Sequence, residues 1–203
     1  MRGIAFICKL VVLAFLALPG ARADDIEVRE ARLEPVEEGL ALNAEFAFDF
    51  NPRLGEAIDN GVPLYFVVEF ELTRPRWYWF DEKTAARRMQ IRLSYHAISR
   101  QYRLSTGLLQ QNFATLGDAL NVMRRVRNWL VAERSPPLAE AAYEAAVRMR
   151  LDIALLPKPF QVSALTSREW HLESPWKRIT YRHAAAPAPA ESREPKREEG
   201  ETR

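Results

Sequence analysis

Residues 61–82 read GVPLYFVVEFELTRPRWYWFDE, and the first half of this stretch decides the fold. Leu64, Phe66, Val68, Phe70 and Leu72 occupy every second position, with Glu69, Glu71 and Thr73 between or beyond them. A period of two sends alternate side chains to opposite faces of an extended chain, so this is a strand with one apolar face. The second half breaks the pattern. Trp77, Tyr78, Trp79 and Phe80 are consecutive, so an extended chain carries rings on both faces there.

Working outward, the same alternation recurs. In residues 40–50, Leu40, Leu42, Ala44, Phe46, Phe48 and Phe50 share one parity, opposite Asn43, Glu45 and Asp49. Met89, Ile91, Leu93 and Tyr95 lie opposite Arg88, Gln90, Arg92, Ser94 and His96. Residues 147–155 set Val147, Met149, Leu151, Ile153 and Leu155 against Arg148, Arg150 and Asp152. Residues 26–33 and 101–106 read as shorter strands. Helices are few. Asn51-Pro52 offers an N-cap with proline at the first helical position, and Gly61 offers a stop, which predicts a helix over 52–60. Thr115-x-x-Asp118 resembles a capping box with aspartate in the place of the usual Glu or Gln. Leu116, Ala119, Leu120, Met123 and Val126 follow it at helical spacing. Alanine-rich residues 138–146 read as a third helix. One-faced strands without a strand–helix–strand rhythm predict a mainly β fold: an antiparallel β-sandwich, immunoglobulin-like in architecture, with two or three short helices.

The N-terminus predicts the compartment. Arg2 and Lys9 precede the apolar run LVVLAFLAL, Pro19-Gly20 breaks it, and Ala21-Arg22-Ala23 has the form of a cleavage site. The run is shorter than the roughly 18–20 apolar residues of a membrane span. The expectation is a signal peptide over 1–23, cleaved after Ala23, a periplasmic location, and membrane contact only during export. The competing reading is an uncleaved anchor. The sole cysteine, Cys8, lies inside the signal, so no disulfide or thiol chemistry is expected afterwards. Removing Arg2, Lys9 and Arg22 takes the 29 basic residues to 26, against 27 acidic ones. No nucleic-acid footprint survives that correction. Residues 24–183, about 160 in all, form a single domain large enough to bury roughly 70% of their unfolded surface. Residues 184–203 read AAAPAPAESREPKREEGETR; without large apolar side chains they are expected to be a disordered tail.

Catalytic patterns are thin. His96, His171 and His183 are the only imidazoles, and none sits at metal-ligand spacing from another. There is no Gly-x-Ser-x-Gly elbow and no glycine-rich phosphate loop. Glu69 and Glu71 share a strand face about 7 Å apart, a separation that suits an inverting glycosidase. Outward glutamates on a solvated sheet are the commoner meaning of that spacing. No enzyme activity, metal or cofactor is expected.

Several blocks carry a resemblance. Gly61-Val62-Pro63-Leu64-Tyr65-Phe66, Trp77-Tyr78-Trp79-Phe80-Asp81, Leu156-Pro157-Lys158-Pro159-Phe160-Gln161-Val162 and Trp170-His171-Leu172-Glu173-Ser174-Pro175-Trp176 resemble the family known as domain of unknown function 4390. The blocks span essentially the whole domain. The resemblance implies a small secreted proteobacterial protein with no assigned activity, so no catalytic residue carries over. It also implies, through the family's gene neighbourhood, the periplasmic region of an envelope sensor kinase as a partner.

Two surfaces are candidates for contact. Trp77, Tyr78, Trp79 and Phe80, flanked by Arg74 and Arg76, suit core and edge packing, a protein or ligand contact, or a membrane surface. Arg88 and Arg92 on one strand, and Arg148 and Arg150 on another, face away from the core. If those strands are neighbours they form a basic stripe for an anionic lipid, a glycan or an acidic protein. The plainer alternative is cross-strand pairing with Glu45, Glu69 and Glu71. The expected function is a non-catalytic periplasmic protein acting through protein–protein contacts. The alternative is a lipid- or glycan-binding sandwich that uses the Trp77–Phe80 rings.

Overall fold

The computed structural model describes residues 25–76, 82–134 and 141–183. The expected signal peptide, the tail from 184 and the Trp77-Tyr78-Trp79-Phe80 cluster lie outside the described residues. Among the described residues nine strands form two antiparallel sheets. The smaller has the order β1-β2-β7 and the larger β6-β5-β4-β3-β8-β9. Their ranges are β1 Glu27–Val36, β2 Gly39–Ala47, β3 Leu64–Arg74, β4 Glu82–His96, β5 Gln101–Thr106, β6 Leu109–Phe113, β7 Arg125–Glu133, β8 Ala141–Leu151 and β9 Lys177–His183. Three α-helices among the same residues join them: α1 Pro52–Asp59, α2 Leu116–Met123 and α3 Lys158–Thr166. The two-sheet, mainly β architecture expected from the alternation is the one found.

The sheets meet on their apolar faces. Leu64, Phe66, Val68, Phe70 and Leu72 of β3, all buried, form the centre of the core together with Val147, Met149 and Leu151 of β8. Leu40, Leu42, Ala44 and Phe46 of β2 belong to the same cluster, as do Val28, Val126 and Val131 from the rest of the small sheet and Ile26 just before β1. β2 ends at Ala47, short of the expected Phe50. Phe48 and Phe50 still turn inward, stacking with Phe66 at centroid distances of 5.9 and 5.8 Å.

Local chemistry sets the helix ends. The Asn51 side chain accepts from the Leu54 N–H at 3.0 Å, with Pro52 at the helix start. At the other end Gly61 has φ 81, and Val62 N–H and Gly61 N–H donate back to Ala57 and Ile58 carbonyls. That is a glycine-terminated Schellman arrangement. Thr115 caps α2 by accepting from Asp118 N–H, and its hydroxyl donates to the Asp118 carboxylate at 2.6 Å. The aspartate therefore clasps the capping side chain, where a longer Glu would reach the backbone. α2 stops at Met123, and Val126 belongs to β7 rather than to the helix.

Two further expectations need correction. Residues 141–146 are not helical; they begin β8, and 138–140 lie outside the described residues. Tyr143 and Ala145 are buried with the same parity as Val147, Met149 and Leu151. Pairing with both β3 and β9 overrides the helix preference of alanine. The strand expected to run to 155 ends at Leu151, because the Asp152 side chain accepts from Ala154 N–H and starts a 3-10 turn over Ile153–Leu155.

Candidate functional site

The outer face of the large sheet is built around one carboxylate. Glu69 sits on β3, the strand flanked by β4 and β8, directly opposite Arg88 on one side and Arg148 on the other. Alternation puts all three side chains on the face away from the core. Arg148 Nε donates to Glu69 Oε2 at 2.6 Å, Arg88 Nε lies 3.1 Å from Oε1, and Arg150 Nη2 lies 3.5 Å from Oε1. Arg150 also reaches Asp152 at 3.6 Å. The Arg148 guanidinium lies 4.6 Å from the centre of the Trp176 ring.

Glu69 is therefore not the solvated glutamate that its outward parity suggests. Its side chain is only 5% exposed, while Arg88 stays 76% exposed. Burial pushes the Glu69 carboxyl upward, but the hydrogen bond and charge of Arg148, and then the charge and hydrogen bond of Arg150, outweigh it. The result lies below the usual carboxylate range. Three guanidiniums around one carboxylate leave a local excess of positive charge.

The stripe expected from Arg88, Arg92, Arg148 and Arg150 thus comes together on one face, since β4, β3 and β8 are adjacent. Arg92 lies beside the others without joining Glu69; its guanidinium stands 5.8 Å from the centre of the Tyr65 ring. Cross-strand pairing, the plainer alternative, also holds, through Glu69 and through Glu71, which accepts from Lys83 Nζ at 2.8 Å. Glu45 takes no part. It lies on β2 in the other sheet, between Glu30 and Arg125. Sequence parity assigned each arginine its face but could not show which strands are neighbours, nor that Trp176, Asp152 and Tyr65 complete the surroundings.

Register extends the basic face further. Arg103 pairs with Ser94 and Arg178 with Ala146, which places both with the outward arginines. Arg182, opposite Ala142, has the same parity. Lys83, Arg88, Arg92, Arg103, Arg148, Arg150, Arg178 and Arg182 then stand against Glu69, Glu71 and Glu144, with Asp152 and Glu173 beside Arg150. An open depression of about 280 Å³ beside Glu69 is lined by Glu71, Lys83, Arg87, Arg88, Arg148 and Trp176. Arg87 has the opposite parity and bridges to Glu133 of β7 at 3.0 Å, so it ties the sheets together at their rim.

The other candidates are dispersed. Arg74 ends β3 half-buried, and Arg76 forms an ion pair with Glu82 at the start of β4. Their proposed aromatic neighbours Trp77, Tyr78, Trp79 and Phe80 are outside the described residues. His96 Nδ1 lies 3.0 Å from Ser99 Oγ and His171 Nδ1 lies 3.2 Å from the Ser167 carbonyl; both side chains are exposed. Among the described residues no three His, Cys, Asp or Glu side chains gather as a metal site would require. No helix among them is long and apolar enough to cross a membrane.

A family described as a domain of unknown function, DUF4390, matches residues 23–180. This chain belongs to the DUF4390 family. The match runs from the residue before Asp24 to within three residues of the end of β9, so the whole described DUF4390 sandwich falls inside it, bar its last strand positions. No curated protein and no solved structure matches the DUF4390 chain.

Proposed function

We propose that this DUF4390 protein is a non-catalytic periplasmic protein, exported by a signal peptide cleaved after Ala23, that acts by binding an acidic region of another envelope protein. The observation behind this reading is the sorting of charge on the large sheet. Eight cations and five carboxylates share or border its outer face, in a chain whose acids and bases nearly balance once the signal is removed. Such a face attracts an oppositely charged partner and fixes its orientation. The periplasmic region of a sensor kinase is the specific partner to test, because the resemblance to the family points to it.

A photocrosslinking side chain placed at Gln90, which is exposed between Arg88 and Arg92, tests this in intact cells. The expected result is capture of an envelope protein, reduced at least tenfold by Arg92→Glu with Arg103→Glu, and weakened by added salt. These two substitutions leave the Glu69 cluster untouched, so the fold is preserved. Capture of nothing at Gln90, or capture indifferent to the charge reversal, would overturn the proposal.

A further inference from the structure

Among the described residues the two sheets end in four edge strands, and the chain treats one of them differently. β1 carries Glu27, Arg29, Glu30, Arg32, Glu34 and Pro35, with a register shift between Val28 and Glu30. β7 carries Arg125, Arg127 and Glu133, two register shifts against β2, and Asn128 at φ 51. β9 carries Lys177, Arg178 and Arg182. Charges, prolines and bulges of this kind stop an open edge from pairing with another chain. β6 has none of them. Its sequence is LQQNF, it pairs with β5 without a bulge, and no charged residue occurs between Arg103 and Asp118. Among the described residues no strand pairs with its outer side.

The hairpin that makes β6 fixes what this edge presents. Gly107 and Leu108 form a two-residue loop, with Gly107 at φ 57 as its first position. A two-residue loop closes on a hydrogen-bonded pair, here Thr106 with Leu109. The alternation of the ladder then turns the backbone N–H and C=O of Gln110 and Asn112 outward, away from β5. Leu109, Gln111 and Phe113 share the parity of Leu104, which is buried, whereas Leu109 remains 72% exposed and Leu108 is fully exposed. Among the described residues the edge thus offers four unpaired backbone groups and two uncovered leucines.

We infer that β6 pairs with β6 of a second copy of this chain, antiparallel and centred on Gln111. The segment is complementary to itself in that register. Gln110 faces the partner's Asn112 and exchanges both backbone hydrogen bonds with it, and Asn112 does the same with the partner's Gln110, which satisfies all four outward groups. Leu109 falls opposite the partner's Phe113 and covers part of its exposed surface. Side chains directly opposite in this way lie about 5 Å apart. Gln111 meets its own symmetry mate, so no charges of like sign confront each other. The same two-fold operation on β9 would bring lysine and arginine rows together. An isologous contact of this kind closes as a dimer and does not propagate. Five residues a side bury less than the roughly 1,200 Å² of a standard interface, so the association is weak and concentration-dependent.

Sedimentation equilibrium of the purified protein over a wide concentration range tests the inference, and it does not depend on the acidic-partner reading. The expected result is a reversible monomer–dimer equilibrium. Gln111→Lys and Gln111→Glu each shift it to monomer by tenfold or more, because each puts like charges face to face, and an equimolar mixture of the two restores the dimer. Gln111 is exposed, so both variants keep the wild-type melting profile. A wild-type protein that is monomeric at every concentration, a dimer indifferent to both substitutions, or a mixture that fails to recover would overturn it. The first of these outcomes would leave β6 as an edge for a strand from a different protein.

Discussion

The outer faces of the two sheets make the same local move with opposite results. Each central strand carries a glutamate pointing away from the core: Glu69 on β3 and Glu45 on β2. Glu45 has Arg125 on one side but Glu30 on the other, and the sheet is only three strands wide. Glu69 has an arginine on each side, and a third two residues along β8, in a sheet six strands wide. Long guanidinium side chains converge over Glu69 and exclude water from it. Over Glu45 they do not, and its side chain remains half-exposed. A buried charge is held by its full set of partners, so one face depends on its ion cluster and the other hardly does.

The sharpest way to break that contrast is Arg148→Ala. It removes the 2.6 Å bond to Glu69 and the stack on Trp176 together. Losing a hydrogen bond to a buried carboxylate costs about 2–4 kcal/mol. In a domain of this size a loss of about 3 kcal/mol lowers Tm by roughly 6–12 °C, which calorimetry would detect. A drop of under a degree would mean that Glu69 is effectively solvated.

Glu69→Gln comes next, at about 1–3 kcal/mol near neutral pH, because the three arginines keep access to water. Its effect should depend on pH in a defined direction. A carboxyl held below its ordinary 4.5 in the folded protein contributes stability that is present above that value and is lost as pH falls through the folded one. Denaturant titrations of wild type and Glu69→Gln should therefore converge below about pH 4.5 and separate above it. A gap that stays constant across the acid range would remove the charge from the explanation.

The smallest effects complete the comparison. Arg88→Ala should cost about 1 kcal/mol or less, since that side chain is 76% exposed despite its 3.1 Å contact with Glu69. Glu45→Gln should fall within about 0.5 kcal/mol of wild type. Urea midpoints rank all four variants on one scale. Finding Glu45→Gln as costly as Glu69→Gln would erase the distinction between the faces.

How much of this was readable beforehand depends on what kind of information each feature needs. Leu64 to Leu72 announced a core strand because parity is a local property. Asn51, Pro52 and Gly61 marked the first helix because caps are local too. Residues 141–146 misled because alanine favours a helix locally, while the parity of Tyr143 and Ala145, continuous with Val147, carried the competing signal. β6, β7 and β9 went unnoticed: LQQNF has no apolar face of its own, and a strand at an edge is defined by its neighbour more than by its pattern. The Glu69 cluster was half legible. The outward parity of Arg88, Arg148 and Arg150 was visible, but their convergence needed the order β4-β3-β8, which no local pattern contains.

The segment before β9 has a consequence in time. Ile26 N–H, just before β1, donates to the Glu173 carbonyl, and Ser174 N–H donates to the Met149 carbonyl while its hydroxyl accepts from Met149 N–H. β1 pairs at once with its hairpin neighbour β2, but the residue that leads into it waits for a backbone partner nearly 150 residues downstream. A chain emerging N-terminus first cannot seal that corner early, however fast its hairpins form. Closing so long a loop comes late and slowly. Until residue 173 arrives, the apolar row of β1 stays accessible to whatever escorts the growing chain.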